Sequence, residues 1–376
     1  MQKTLMMILV AVSALSCSPR VSDSEAALPM AVAHRGCWLK DGEEFYINEN
    51  CPAGVRMAAR YGYPAIECDV KYTLDSVMVI MHDATINRTM RNASDYSVIE
   101  EPVKVTEHTF EELSTQYVLA STDPALRRPI PTLKEVLEVC RETGVVPMLH
   151  SSVVESYKLA HEILGDNFIS FTSDQEALAH ARDYSDCLLL LDPGWDEAPR
   201  TIERLVELGG KCGMSTMKYN MLDSLYIRTV KNAGFEVQAS IFPSPHEQRA
   251  LTDGVTIELS DFYWHQTQGR KAVDTFNLSG VDLPEGDTLG WNPEAPEFSA
   301  VTLDLDFAGQ VEVSVGGRTY TLAHEGGNAP VERFGLRLYK TAPGICVKAL
   351  ADTRVKSLKA ALYDIPTVSA TRCCGN

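Results

Sequence analysis

The chain is 376 residues long, 45% hydrophobic and 23% charged, an ordinary globular composition with room for two domains. Fifty-one Asp and Glu against 34 Lys and Arg leave a formal net charge of −17. That balance argues against a nucleic-acid partner, whose phosphates demand a basic footprint, and against a broad electrostatic footprint on anionic lipid; a small phosphate-bearing substrate would need local cations.

The first residues read as a targeting segment. Met1-Gln2-Lys3 supplies a positive start and Leu5 to Leu15 a short apolar core, too short to span a bilayer. Ser16-Cys17-Ser18 looks like a bacterial lipoprotein cleavage site with Cys17 lipidated, although Ala14 stands where Leu is usual. Ordinary secretion with cleavage nearby is the alternative. Either way the expectation is an exported protein of the bacterial cell envelope, touching membrane only through the possible anchor, with residues 18–28 as a tether. Ten cysteines show no disulfide framework in their spacing, and Cys68 and Cys187 read as core thiols.

From 30 to about 262, short apolar runs alternate with amphipathic stretches. Strands are expected at 30–35, 65–70, 77–82, 145–150, 167–172, 187–192, 212–217, 235–241 and 254–259. Helices are expected at 51–61, 132–142, 153–163, 174–183, 199–208 and 222–232. This alternation predicts a parallel sheet with crossover helices, and so many repeats predict a closed (β/α)8 barrel of the TIM type over 29–264. Nine runs compete for eight places, and the Lys71–Ser76 connection is too short for a helical crossover, so one run is not a regular barrel strand. Arg91 to Arg128 is a long polar connection, expected to cover the barrel mouth as a specificity element.

The chemistry concentrates between Pro64 and Thr89. Glu67 and Asp69, two residues apart on a strand, share one face. Apolar neighbours predict burial, and paired buried carboxylates repel unless a cation sits between them. One hard divalent cation such as Ca²⁺ or Mg²⁺ is the expected cofactor. His82 ends the run VMVIMH and His34-Arg35-Gly36 ends Met30–Ala33, so two imidazoles able to move protons near neutral pH join the carboxylates.

The order HRG, Glu49-Asn50, AIECDV, a Thr73-x-Asp75 turn, Val79-x-x-His82-Asp83 and Asn87-Arg88-Thr89 resembles the glycerophosphodiester phosphodiesterase family. Weaker matches follow at Ile130–Leu133 with Glu135, at 170–173, at Ala233-Gly234 and at Gly254–Glu258. The resemblance covers roughly 30 to 264. It implies metal-dependent hydrolysis of a small phosphodiester to glycerol 3-phosphate and an alcohol. It casts His34 and His82 as acid and base, Arg35, Glu49 and Asn50 as substrate or metal-shell residues, and Glu67 and Asp69 as metal ligands; Asp83 and Arg88 are expected to form ion pairs beside the site. The chain departs from the family where the latter usually has Glu followed two residues later by Lys: here stand His150 and Ser152. Imidazole is neutral and softer than carboxylate, favouring Zn²⁺, Mn²⁺ or Mg²⁺ over Ca²⁺ with His150 as third ligand. Lys218, at the end of the 212–217 run, is the candidate replacement cation, with an ordinary surface lysine as the alternative. A usual Trp near 240 is also missing, so a flat wall is lost or moved to Trp38, Trp195 or Phe242. These departures keep alive a non-catalytic binding protein on the same barrel, or an enzyme for another envelope substrate such as a lysophospholipid or a sugar phosphodiester.

Beyond Asp261–Trp264 the texture changes to short alternating strands at 301–307, 310–315, 318–323, 333–339, 344–349 and 355–363, with turn signals at Gly316-Gly317 and Gly326-Gly327. A small all-β sandwich over 265–376 is expected, serving packing or binding carbohydrate or envelope.

Overall fold

The computed structural model describes residues 29–216, 224–241, 253–261, 267, 269–325 and 331–365. The leader-like segment with Cys17, the Cys373-Cys374 tail, Lys218, Phe242, Trp264 and Gly326-Gly327 lie outside the described residues. Eight parallel strands form the barrel: β1 (Met30–Ala33), β2 (Ala65–Tyr72), β3 (Val146–His150), β4 (Ile169–Thr172), β5 (Leu188–Leu191), β6 (Cys212–Thr216), β7 (Glu236–Ile241) and β8 (Ile257–Ser260). Val32 of β1 registers with Leu259 of β8 on one side and with Ala65 of β2 on the other, which closes the circle.

Between successive strands run α1 (Pro52–Tyr61), α2 (Leu133–Thr143), α3 (Val154–Leu164), α4 (Gln175–Ala181), α5 (Ala198–Leu208) and α6 (Ser224–Asn232). Local chemistry fixes their starts. Cys51 Sγ accepts from Gly54 N–H to cap α1, and Thr132 Oγ1 accepts from Glu135 N–H at 3.2 Å to cap α2. Val32, Ala65, Met148, Ile169, Phe171, Leu190, Ile257 and Leu259 plug the barrel interior. The opposite strand faces pack on the helices, which is why runs such as Leu188–Leu191 are apolar throughout. No described helix is long and apolar enough to cross a membrane. The described cysteines are free thiols, Cys68 and Cys187 among the buried ones.

The surplus ninth run is Met78–Ile80. It folds back antiparallel on β2, Val70 against Ile80, outside the circle. A turn too tight for a crossover forces this reversal: Thr73 Oγ1 donates to Asp75 Oδ1 at 2.6 Å and accepts from Val77 N–H at 3.0 Å. The connection from Arg91 to Arg128 folds against an antiparallel pair, Leu39–Asp41 with Glu44–Ile47. Asn48 Nδ2 donates to the carbonyls of Thr89 and Ala120, and Ser121 Oγ donates to that of Tyr46. Arg91 at its start reaches the wall of the mouth cleft.

Seven antiparallel strands follow: β9 (Asp274–Leu283), β10 (Thr288–Trp291), β11 (Phe298–Val315), β12 (Arg318–His324), β13 (Glu332–Tyr339), β14 (Ile345–Ala349) and β15 (Thr353–Asp364). The runs expected at 301–307 and 310–315 are one strand. The first part of β11 pairs with β13 and β15, the second with β12 and β14, so β11 crosses from one ladder to the other. Gly309 permits the crossing. Its φ is +132°, and a Cβ there would lie 2.3 Å from Thr353 Oγ1. Gly316 and Gly317, both at positive φ, make the two-residue turn from β11 to β12. Strands β9 and β10 went unanticipated because β9 is mostly exposed and lacks a clean apolar alternation.

The β region sits directly on the barrel. Tyr61 of α1 is fully buried, and its hydroxyl lies 3.3 Å from the carbonyl oxygens of both Ser299 and Leu338. Tyr46 stacks on Tyr339 with ring centres 3.6 Å apart.

Candidate active site

Glu67 and Asp69 point inward from the C-terminal end of β2 and are each 3% exposed. In the β2–β3 register Asp69 stands opposite His150. His150 Nδ1 lies 3.0 Å from Asp69 Oδ1 and 3.9 Å from Glu67 Oε1, its ring stacked on Phe171. Each of the three residues offers one ligand atom within 4.8 Å of the others. Burial, then the charge of Asp69, pushes Glu67 up to about 7. Burial opposes ionisation of Asp69 too, but His150 and Asn50 outweigh it and hold its pKa below the ordinary value. A hard or borderline cation relieves such a pair, and two carboxylates with an imidazole fit one.

Asn50 grips Asp69 at both ends, donating from Nδ2 to Oδ2 at 2.9 Å and accepting the Asp69 N–H at Oδ1. The backbone bends sharply to do this: Asn50 has φ 52° and Arg35 φ 55°, uncommon for side-chain-bearing residues. The bend aims the Arg35 N–H at Glu67 Oε2, 3.1 Å away.

Two imidazoles flank the carboxylates. Arg35 Nη2 donates to His82 Nε2 at 2.9 Å, while His82 Nδ1 meets Asp83 Oδ1 at 2.7 Å. Guanidinium only donates and carboxylate only accepts, so these partners call for the proton on Nδ1 and a lone pair on Nε2. Behind them Arg88 binds Asp83 through Nε and both oxygens of Glu49 through Nη1 and Nη2. Glu49 also accepts from Arg35 Nη1. His82 reaches the mouth at the end of the folded-back run, held by Met81 N–H donating to the Asp69 carbonyl.

His34 follows β1. Its Nδ1 is 3.2 Å from Asp261 Oδ1 and its Nε2 3.7 Å from Glu67 Oε2. Burial pulls its pKa down, but Asp261 and Glu67 outweigh burial and the net direction is up. Asp261, just past β8, is kept far below the usual carboxylate range; burial opposes this, and His34, Arg318 and Arg337 overcome it. Arg318 Nη1 reaches Asp261 Oδ2 at 3.3 Å from the β region.

The structure thus brings His34, Arg35, Glu49, Asn50, Glu67, Asp69, His82 and His150 to one mouth. Lys218 lies outside the described residues. Ser152 bonds Thr172 at 2.9 Å. Of the three aromatic side chains considered for the wall, Trp38 lines the cleft and Trp195 is 65% exposed. Asp261 and Arg318 were missed. An acid at the end of the last barrel strand is a readable signal for the first; nothing local marks the second.

The model of the glycerophosphoryl diester phosphodiesterase family matches residues 34–239. The chain is 32% identical over 115 residues to glycerophosphodiester phosphodiesterase 1 of Mus musculus, covering 29% of this chain and 30% of that one. It is 32% identical over 149 residues to a glycerophosphocholine phosphodiesterase of Rattus norvegicus, covering 33% of this chain and 22% of that one. The matches therefore span less than a third of the length of these curated relatives. A solved structure from Silicibacter pomeroyi, 17% identical, shares the barrel with a TM-score of 0.50 over 64% of this chain and 92% of that one. A glycerophosphodiester phosphodiesterase from Agrobacterium tumefaciens, 18% identical, gives 0.48 over 62% and 96%. With the family match taking in more than half its length, the chain belongs to the glycerophosphoryl diester phosphodiesterase family.

Proposed function

We propose that this chain hydrolyses glycerophosphodiesters to glycerol 3-phosphate and an alcohol. The observation that carries the reading is a pair of imidazoles beside buried carboxylates, with partners that prepare them for opposite proton transfers. Glu67, Asp69 and His150 would hold one divalent cation, most suitably Zn²⁺, Mn²⁺ or Mg²⁺ given the imidazole. When bound, that ion supplies electrostatic stabilisation to the non-bridging phosphate oxygens.

The remaining steps belong to side chains. Arg35 donates to the phosphate and fixes the tautomer of His82. Once Arg35 Nη2 turns from His82 to the phosphate, the freed lone pair of His82 Nε2 takes the proton of the glycerol hydroxyl next to the phosphodiester. That oxygen attacks phosphorus and the bond to the leaving alcohol breaks. His34 Nε2, favoured in its protonated form by Asp261, gives the leaving oxygen its proton. Water then opens the cyclic product with the two roles exchanged: His34 takes the proton of water and His82 returns its proton to the glycerol oxygen. Glu49 and Arg88 hold Arg35 and Asp83 in place. The leader-like start, with Cys17 as lipid-bearing residue, makes the cell envelope the proposed place of action.

Release of glycerol 3-phosphate from glycerophosphodiesters, with each divalent ion in turn, tests the reading. The double variant His34→Ala, His82→Ala is expected to lose turnover by about 10⁴-fold or more. Unchanged turnover in that variant, or none with any ion in folded wild type, overturns it.

A further inference from the structure

The mouth cleft, about 320 Å³ around His34, Arg35 and Arg88, continues past Asp261 into a second pocket of about 360 Å³. Trp38, Lys40, Glu43 and Asp261 line both. The far wall is made by β11–β13: Gly316, Gly317, Arg318, Leu336, Arg337 and Leu338. The mechanism above uses none of these β-region side chains.

Charge is unusual here. In a chain of net charge −17, Lys40, Arg318 and Arg337 converge on one pocket. They face two acids, Glu43 and Asp261, and Asp261 gives one oxygen to His34 and the other to Arg318. Glu43 is exposed at the rim. Among the described residues Arg337 has no carboxylate within ion-pair distance; its Nη1 donates to Tyr63 Oη at 3.4 Å. The aromatic surface is already committed to cations: Arg318 lies 5.1 Å and Arg337 5.7 Å from the Trp38 ring centre, and Arg337 5.5 Å from that of Tyr63. A quaternary ammonium group needs open aromatic faces and no competing positive charge, so choline suits this pocket poorly. Three cations against two acids, two of the cations being half-buried guanidinium groups, suit a phosphate or carboxylate, which guanidinium binds through paired N–H donors.

We propose that this junction pocket is a specificity subsite for a leaving alcohol that carries a second anionic group. The proposal rests on the phosphodiesterase reading and extends it. Under it the β region selects the substrate: Arg318 and Arg337 come from β12 and β13 and Lys40 from the barrel side. Arg318 also holds Asp261, so it is a binding residue that positions His34 as well.

The test compares three diesters: bis(glycerophospho)glycerol, whose leaving alcohol bears a phosphodiester; glycerophosphoglycerol, whose leaving alcohol is neutral; and glycerophosphocholine. Per scissile bond, kcat/KM is expected to be about tenfold or more higher for the first than the second, the strength of one or two charged hydrogen bonds. The choline diester should be poorest. In Lys40→Gln and Arg318→Gln the preference should shrink towards unity through KM, and Arg318→Lys should restore part of it. Lys40 is exposed and its variant is expected to fold regardless. Calorimetric binding of the same diesters, in a His82→Ala background that blocks turnover, separates the two readings. Anion-selective binding that the Lys40 and Arg318 substitutions abolish, without turnover in wild type, sinks the phosphodiesterase reading and keeps the subsite. Turnover with equal affinity for charged and neutral alcohols, or a choline preference, sinks the subsite and keeps the reading. Neither binding nor turnover sinks both.

Discussion

The two imidazoles of the mouth are supported in opposite ways. His82 is held by Arg35, Asp83, Arg88 and Glu49, all within one stretch of about fifty residues. His34 is held by Asp261, 227 positions away, which in turn meets Arg318, a further 57 positions on. One half of the site is built by local chain geometry and the other by closure of the barrel and docking of the β region. The first half can therefore be perturbed piecemeal, whereas the second depends on the whole chain being folded.

Substitutions can break or sharpen this contrast. The largest effect is expected where the halves meet: Asp69→Asn should lower activity by about 10³-fold. A saturating divalent ion is expected to raise the wild-type Tm by several degrees and to leave that of Asp69→Asn unmoved, measured by scanning calorimetry with and without ion. Next comes the long-range half. Asp261→Asn should reduce kcat by about 10²-fold with little change in KM, because the imidazole loses its anchor and the charge favouring its protonated form. The local half is redundantly braced, since Glu49 keeps Arg35 when Arg88 is lost. Arg88→Gln should therefore reduce kcat only about tenfold, with about 1–2 kcal/mol lost in a denaturant titration because the buried Glu49 loses its two strongest bonds.

The smallest effect on turnover is expected outside both halves. Glu258 alternates with Ile257 and Leu259 of the barrel interior, so it faces outward under the helix layer. Burial pushes its pKa up to about 8. The folded state thus holds a proton that the unfolded state releases near the ordinary glutamate value. Stability is highest at or below that value and falls as pH rises towards 8. Glu258→Gln should leave kcat unchanged, flatten this decline, and raise Tm at pH 8 by about 2–4 °C with almost no change at pH 5.

Legibility in the sequence follows the same contrast. Glu67 and Asp69 could be read because strand alternation puts i and i+2 on one face, and the register then brought His150 to them. The barrel could be read because its strands are apolar on both faces. The surplus run at Met78–Ile80 could not be assigned from hydropathy, since a folded-back strand buried under α2 is as apolar as a barrel strand; only the short Thr73–Val77 turn betrayed it. In the β region the break expected near 308 was a glycine crossing, not a strand end, because Gly309 marks close backbone approach as readily as a turn. Arg318 had no local signature at all: its role exists only because β12 packs over Trp38 and Asp261.

The position of β15 has a consequence for the order of events during synthesis. This last described strand, Thr353–Asp364, lies between β9 and β11 and pairs with both. The β region cannot close until the ribosome has released it, and Arg318 is not fixed over Asp261 before that. A nascent chain holding every barrel imidazole and carboxylate thus still lacks the Arg318 contact to Asp261, so the long-range half of the site is completed only after β15 has been made.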